Sequence, residues 1–254
     1  MRYKDETGFL RRHLVPDRWA PKGPGPLYRL PPSHTLQLTA PGDPVKQRKG
    51  PAAFIVQLFG YLFETRVEFH DWWFDGRVPI DRPRKIDPTE AVCGHFVSHC
   101  FRTWQGWSRQ EKRLITNVLY MHCRAPSYEW PWERFAFEYM VNDGCYRLAE
   151  LQGSVRPRLR QDERIPALCG KFRLAQNRNL IKEIVELRNG LFHETFWAGQ
   201  QPGAGARRSA YYASAHLRRL NQRLIPALLG YQNQFVSTQW WSLTWFPFNA
   251  PETY

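Results

Sequence analysis

The chain lacks both a run of apolar residues that could cross a membrane and an N-terminal secretory segment. Its longest apolar stretch, residues 51–63, contains Gln57 and Gly60 and is shorter than the roughly 20 residues of a spanning helix. The first residues are Met-Arg-Tyr-Lys-Asp-Glu, with no apolar core behind them. We therefore expect a cytoplasmic protein with no membrane partner.

Cysteine is scarce, with five residues in 254, and no Cys-x-x-Cys pair is present. An odd, scattered set is not a disulfide framework and indicates a reducing compartment. His95 and His99 have the spacing for sharing a metal ion on one helix, but Cys93 and Cys100 point in other directions from it. We therefore expect no metal site and no cofactor.

Acidic residues are few relative to basic ones. The chain has 36 Lys and Arg against 23 Asp and Glu, which gives a net charge of +13, and the isoelectric point is near 9.8. This balance favours a polyanionic partner, RNA first, although a merely soluble basic surface would have the same composition.

Aromatic residues are plentiful, with eleven Trp and sixteen Phe, so we expect a folded protein with large aromatic packing. Hydrophobic residues recur mainly at three- and four-residue intervals, and this predicts an all-α fold. We see no internal repeat. Proline, glycine and composition divide the chain into a proline-rich basic arm (1–50), a helix with an aromatic loop (51–86), a helical bundle (87–229) and an aromatic tail (230–254).

Local signals place the helices. Asp87 with Glu90, and Ser108 with Glu111, have the spacing of capping boxes. The alternation of Trp241 and Trp245 with polar residues predicts a β-like tail, which could pair with a strand-like segment at 36–38. The expected helices span 52–69, 87–107, 109–123, 130–151, 163–172, 182–194 and 209–229, and the helix at 130–151 is apolar enough to lie centrally.

The most informative stretch is the helix at 182–194, which contains Arg188, Asn189 and His193. Its apolar stripe is formed by Ile181, Ile184, Val185, Phe192 and Phe196. Histidine can transfer protons near neutral pH, and arginine presents a charged fork that suits phosphate. Asparagine can orient either of them. Together they could cleave RNA without a metal ion.

Helical geometry raises a difficulty for this set. Asn189 and His193 share a face, whereas Arg188 and His193 are about 140° apart around the axis and ~7.5 Å apart along it. Either the helix bends at Gly190 or a second copy of the helix supplies the missing group. The second option predicts a homodimer.

The hexapeptide Arg188-Asn-Gly-Leu-Phe-His193 resembles the signature of the HEPN superfamily, in which Arg, a polar residue and His follow one another at this spacing. The resemblance implies a small helical bundle, metal-independent ribonuclease activity and a site assembled across a dimer, with Arg188, Asn189 and His193 as its residues. Many relatives are toxins or antiviral defence effectors that have a regulatory or antitoxin partner. One toxin subtype has Tyr two places after the His, where this chain has Thr195, so the resemblance does not extend to that subtype's antitoxin mechanism.

Residues around the motif are secondary candidates. Glu138 and Asp143 are acids that could pair with Arg188 and hold it. Basic residues that could follow an RNA backbone lie in a connector and on the last helix; they are Arg156, Arg158, Arg160, Arg218 and Arg219.

Two functions remain open from the sequence. The first is an endoribonuclease that works by 2′-OH attack. The alternative is a non-catalytic module of the same fold that binds RNA, a nucleotide or a protein, with a scaffold subunit as a weaker third option.

Overall fold

A computed structural model describes residues 49–64, 66, 88–128, 130–198, 208–242 and 244–251, with backbone only over 208–211. Most of the proline-rich arm, including 36–38, lies outside these residues. The aromatic loop at Trp72, Trp73 and Phe74, and the hinge at 199–205, also lie outside them.

The described part of the chain is helical and contains no strand. This confirms the all-α class. None of its helices is both long and apolar enough to span a membrane. The helices are α1 (Pro51–Leu62), α2 (Glu90–Gln105), α3 (Arg109–Arg124), α4 (Pro131–Leu151), α5 (Gln161–Phe172), α6 (Arg178–Glu194), α7 (Arg208–Leu228) and α8 (Gln234–Ser237), with a 3₁₀ turn at Ala125–Ser127.

Side-chain caps fix where α2 and α3 begin. The Ser108 hydroxyl accepts from the Glu111 N–H at 3.3 Å, and the Glu111 carboxylate accepts from the Ser108 N–H at 2.8 Å. The predicted capping box at this point is confirmed. α2 begins later than predicted, because Thr89 caps it by accepting from the Val92 N–H; Asp87 lies outside the described residues.

α4 is the central helix, as its apolar sequence predicts. It packs against α3, α5, α6 and α7, with its longest contact along α7. Gly144 allows α3 to approach closely, since a side-chain carbon there would lie 2.7 Å from Val118 Cγ2. The core therefore surrounds α4, and any site at its surface must be built from the helices that flank it.

A side chain of α1 replaces a backbone hydrogen bond that α7 lacks. Pro226 lies inside α7 and has no N–H, so the carbonyl of Gln222 one turn earlier loses its helical donor. The buried Tyr61 hydroxyl of α1 donates to that carbonyl instead. The helix continues past the proline to Leu228. Gly230, two residues later, has a φ of 72°, which suits glycine.

The C-terminal tail does not form the predicted β-like segment. It contains the short α8 and then runs irregularly over α7. Two hydrogen bonds hold it in place. Arg223 of α7 donates to the Thr238 carbonyl of the tail at 3.0 Å, and Trp240 Nε1 of the tail donates to the Ala175 carbonyl between α5 and α6 at 2.8 Å. The alternation of apolar and polar side chains therefore did not indicate a strand here. This segment packs against helices and not against a neighbouring strand.

Candidate functional site

The motif helix α6 is positioned by its first half. The Asn177 side chain accepts from the Leu180 N–H at 3.2 Å and caps the helix. Ile181, Ile184 and Val185 are buried as predicted. The last turn lies at the edge of the bundle, so Phe192 and Phe196 are 45% and 40% exposed and do not continue the buried stripe.

α6 ends sharply after the motif. Thr195 adopts a left-handed conformation with φ 62°, and the chain turns so that the Phe196 N–H donates to the Gly190 carbonyl at 3.0 Å. The helix runs through Gly190 without interruption. This turn keeps the end of α6 short and leaves His193 on an exposed rim.

Arg188, Asn189 and His193 meet within one chain. Arg188 Nη1 lies 2.7 Å from His193 Nε2 and donates to Asn189 Oδ1 at 3.1 Å. The expectation that this alignment needs a bend at Gly190 or a second copy is therefore wrong. The arginine side chain is long enough to reach the imidazole, although Arg188 and His193 start from different faces of the helix.

This contact assigns a hydrogen-bonding role to one ring nitrogen of His193. A guanidinium can only donate hydrogen bonds, so His193 Nε2 is the acceptor in this contact. A nitrogen lone pair that accepts a hydrogen is also the group that a general base requires.

Aromatic rings surround the guanidinium. Arg188 Cζ lies 5.9 Å from the ring centre of Tyr139 and 5.5 Å from that of Phe192, and the two rings are 6.3 Å apart. Burial raises the pKa of Tyr139 to about 12, and Gln161 hydrogen-bonds its hydroxyl. Tyr139 is thus a neutral, fixed support for the arginine.

The proposed acid partners of Arg188 are bound elsewhere. Asp143 accepts from Arg164 Nη1 at 2.9 Å and from Gln161 Nε2 at 3.1 Å. Glu138 accepts from Arg218 Nη1 at 2.8 Å. The prediction that one of these acids pairs with Arg188 is wrong, and in the described residues no carboxylate forms an ion pair with it. Its Nε is buried and has no acceptor there.

Glu138 belongs to a buried polar cluster inside the bundle. His122 Nδ1 lies 2.9 Å from Glu138 Oε2, and Asn221 Nδ2 donates to the same oxygen at 2.9 Å. Burial alone would raise the pKa of Glu138, but His122, Arg218 and Asn221 outweigh it and the pKa is lowered. The carboxylate is therefore ionised and fully bonded.

Burial lowers the pKa of His122. The geometry gives the reason, because Nε2 is buried with no hydrogen-bond partner in the described residues. A protonated ring would leave an N–H donor unsatisfied there. His122 is consequently neutral and donates to Glu138 through Nδ1.

Two of the predicted RNA-binding arginines are used by the fold. Arg218 donates to Glu138 and, at 2.7 Å, to the His122 carbonyl, so its guanidinium faces the interior. Arg219 donates to the Ser242 carbonyl at 3.0 Å and is half-buried. Neither is an open phosphate contact in this structure, which corrects the prediction.

The arginines of the connector are exposed, in a turn rather than an extended strip. The Tyr146 hydroxyl donates to the Arg156 carbonyl at 2.9 Å, and Glu150 accepts from the Arg158 N–H at 2.9 Å. The guanidinium groups of Arg156 and Arg158 form no hydrogen bond or ion pair with other described residues, and both side chains are exposed. Arg160 pairs at 3.3 Å with the exposed Asp162.

This turn lies at the same end of the bundle as the motif. α5 and α6 pack together and are joined by a short link, so the start of α5 lies beside the end of α6. Gln161, the first residue of α5, bonds Tyr139, and Tyr139 contacts Arg188. The basic turn, which leads into Gln161, is therefore connected to the motif through Gln161 and Tyr139.

Tyr139, Gln161 and His122 were not identified from the sequence. Tyr139 belongs to a helix whose apolar periodicity explains it without a site, and Gln161 precedes the helix predicted at 163–172. The available signal was the four-residue spacing of Tyr139 and Asp143 on one face of α4. It does not reveal which neighbouring helix that face meets.

Other chemistries find no support in the described residues. No group of three or more His, Cys, Asp or Glu is arranged to hold a metal ion there. The five cysteines are free thiols. Burial raises the pKa of Cys123 and Cys169 to about 12, which keeps them protonated and unreactive.

Comparison with known proteins adds no further constraint. No family model, curated protein or solved structure matches the chain. Functional inference therefore depends on the geometry of the motif.

Proposed function

We propose that the protein is a metal-independent endoribonuclease whose site is formed by Arg188, Asn189 and His193. The observation that carries the proposal is the 2.7 Å contact between Arg188 Nη1 and His193 Nε2. It joins a phosphate-binding group and a proton-transfer group at an exposed helix end that is connected to a basic turn.

The two side chains divide the reaction between them. When phosphate binds, Arg188 turns its guanidinium from His193 to the phosphoryl oxygens and frees the Nε2 lone pair. His193 Nε2 then takes the proton of the 2′-OH, and the 2′-oxygen attacks phosphorus. The bond from phosphorus to the 5′-oxygen breaks, and the proton passes from His193 to that leaving oxygen. The products are a 2′,3′-cyclic phosphate and a 5′-OH end. Arg188 stabilises the negative charge that grows on the phosphoryl oxygens.

The absence of an acid next to Arg188 supports this role. A carboxylate on the guanidinium would compete with phosphate, and none forms an ion pair with it in the described residues. Asn189 Oδ1 accepts from Arg188 Nη1, the same nitrogen that contacts His193, and so fixes the orientation of the guanidinium. Since one chain brings the three residues together, a homodimer would add residues or RNA surface, and it remains a proposal.

Cleavage of an end-labelled, unstructured RNA in EDTA tests the proposal. The wild-type protein should leave 2′,3′-cyclic phosphate ends, and RNA methylated at every 2′-oxygen should stay intact. His193→Ala should slow cleavage by about 100-fold or more. The matched control is His95→Ala. His95 is another exposed histidine; it lies on α2 and hydrogen-bonds Tyr231, which follows α7.

Equal cleavage by His193→Ala and the wild-type protein would refute the nuclease. RNA that is bound tightly and recovered at full length would instead identify a binding module. Sedimentation of both proteins reports the oligomeric state independently of activity.

A further inference from the structure

We propose that the exposed face of the Phe192 ring stacks on an unpaired base of the bound RNA, so that the site takes single-stranded RNA. This inference deepens the proposed function and rests on it for the identity of the polymer. It concerns Phe192, which takes no part in the proton transfers or charge stabilisation proposed above.

The first step is the exposure of the ring. Phe192 immediately precedes His193 and is 45% exposed, although its position continues the stripe of Ile181 and Val185. An apolar ring of this size in water is ordinary when isolated. Here the ring adjoins Arg188 and His193 of the proposed site, and a second aromatic residue, Phe196, is 40% exposed just after the helix ends.

The second step is that the ring is held in place. Arg188 Cζ is 5.5 Å from its centre, and the buried Tyr139 ring is 6.3 Å away. With both contacts made, almost half of the Phe192 side chain is still exposed to solvent. A fixed ring loses little conformational freedom when a base stacks on it.

The third step is the pairing of groups. A nucleotide has its base and phosphate on one sugar, so a ring beside a guanidinium engages both parts of a single nucleotide. Stacking of this kind tolerates any base and requires that the base be unpaired. The exposed guanidinium groups of Arg156 and Arg158, on the turn connected to the motif, suit the rest of a polyanionic strand.

The test uses a 12-nucleotide RNA that contains 2-aminopurine and is methylated at every 2′-oxygen, which prevents cleavage. Wild-type protein should quench the 2-aminopurine fluorescence and bind the strand about 10-fold more tightly than Phe192→Leu does, a ratio within the range measured for loss of one stacked base. Phe192→Trp should keep both signals. The same sequence annealed to its complement should bind the wild-type and Phe192→Leu proteins equally.

Phe63→Leu is the matched control. Phe63 is 40% exposed and contacts another aromatic ring, Phe59, but it follows α1, which packs on α2 and α3. This variant should bind and quench like the wild type.

Unchanged affinity and quenching in Phe192→Leu would overturn the proposal, as would a wild-type protein that does not bind the strand. A dimer that dissociates in Phe192→Leu with unchanged quenching would also overturn it, and would assign the ring to contact between copies. Failure of the nuclease looks different, because wild-type protein would then bind and quench this strand yet leave unmethylated RNA intact.

Discussion

Two regions of the molecule combine the same three residue types in opposite settings. Inside the bundle, His122, Arg218 and Asn221 converge on Glu138. At the end of α6, His193, Arg188 and Asn189 meet, and no carboxylate of the described residues forms an ion pair with Arg188. The interior set satisfies its own charges, whereas the surface set leaves a guanidinium and an imidazole at an exposed helix end. Residue type therefore does not distinguish a structural cluster from a candidate site; the presence of a buried counter-charge does.

The largest expected effect is on stability, in the interior set. Glu138→Ala removes the partner of Arg218 and leaves a buried cation uncompensated, so the free energy of unfolding should fall by about 3–5 kcal/mol. Urea denaturation measures it. Glu186→Ala is the control, because that side chain is 65% exposed in a loose 3.8 Å pair with Lys182, and it should change stability by less than about 0.5 kcal/mol. Equal losses in the two variants would remove the distinction between the regions.

The corresponding change at the surface should affect activity and spare the fold. Arg188→Gln should lower kcat/KM by about 100- to 1,000-fold, which is the loss typical of one transition-state donor. Its free energy of unfolding should fall by no more than about 1–2 kcal/mol, from loss of the cation–π contacts with Tyr139 and Phe192. Arg178→Gln, at the exposed start of α6, should cleave normally. If Arg188→Gln instead unfolds as readily as Glu138→Ala, then Arg188 is a structural residue.

Tyr139 links the surface set to the core through its ring, which contacts Arg188, and its hydroxyl, which interacts with Gln161. Two variants separate these contributions. Tyr139→Phe keeps the ring against Arg188 and loses the hydrogen bond to Gln161, whereas Tyr139→Leu loses the ring. We expect Tyr139→Leu to lower kcat/KM by about 5- to 30-fold, from a cation–π contact of ~1–2 kcal/mol, and Tyr139→Phe to lower it less. Comparing KM with kcat shows whether phosphate binding or chemistry has changed. The same loss in both variants would assign the effect to the hydroxyl group.

The smallest expected effect is a pH dependence of stability from His122. Burial lowers its pKa from the ordinary 6.5, so below that pH the unfolded chain takes up a proton that the folded protein does not. The free energy of unfolding should therefore fall as pH drops from about 6.5 toward the folded pKa, by about 1.4 kcal/mol for each unit between the two pKa values. The lowered pKa of Glu138 adds a second loss, below its ordinary 4.5.

Thermal denaturation of the wild-type protein and of His122→Asn between pH 7 and 5 checks this dependence. Asparagine can still donate to Glu138 but does not titrate, so its acid-induced loss should be smaller. His216 contributes to the remainder, because its pKa is also lowered, by burial and by Arg219. An equal acid-induced loss in the two proteins would show that the buried imidazole is not responsible.

Signals that act over a few residues were predictable from the sequence. The Ser108–Glu111 box and the repeating apolar positions of α4 depend only on neighbours along the chain, and both were confirmed. The motif residues could be selected for the same reason, since Arg188 and His193 lie on one helix. Their direct contact was missed, because helical angles describe where side chains start rather than how far an arginine extends.

Contacts between helices were not predictable in the same way. Arg218 has the sequence context of a surface arginine, and only the packing of α7 on α4 turns it toward Glu138. Asp143 was expected to pair with Arg188, but Gln161 and Arg164 of α5 bind its carboxylate instead. The tail shows the same limit, since its alternating residues face helices that no local pattern reveals.

The proline in α7 has a consequence for the smallest unit that can fold. The Gln222 carbonyl, which the proline leaves without a helical donor, accepts a hydrogen bond from Tyr61, 161 positions earlier in the chain. α1 is therefore part of the core and not an accessory to it. A version trimmed to residue 87, where composition suggests that the bundle begins, would lose that hydroxyl and open the side of α3 on which α1 rests. Fragments that start at or before residue 49 keep the connection, and only these should behave as autonomous domains.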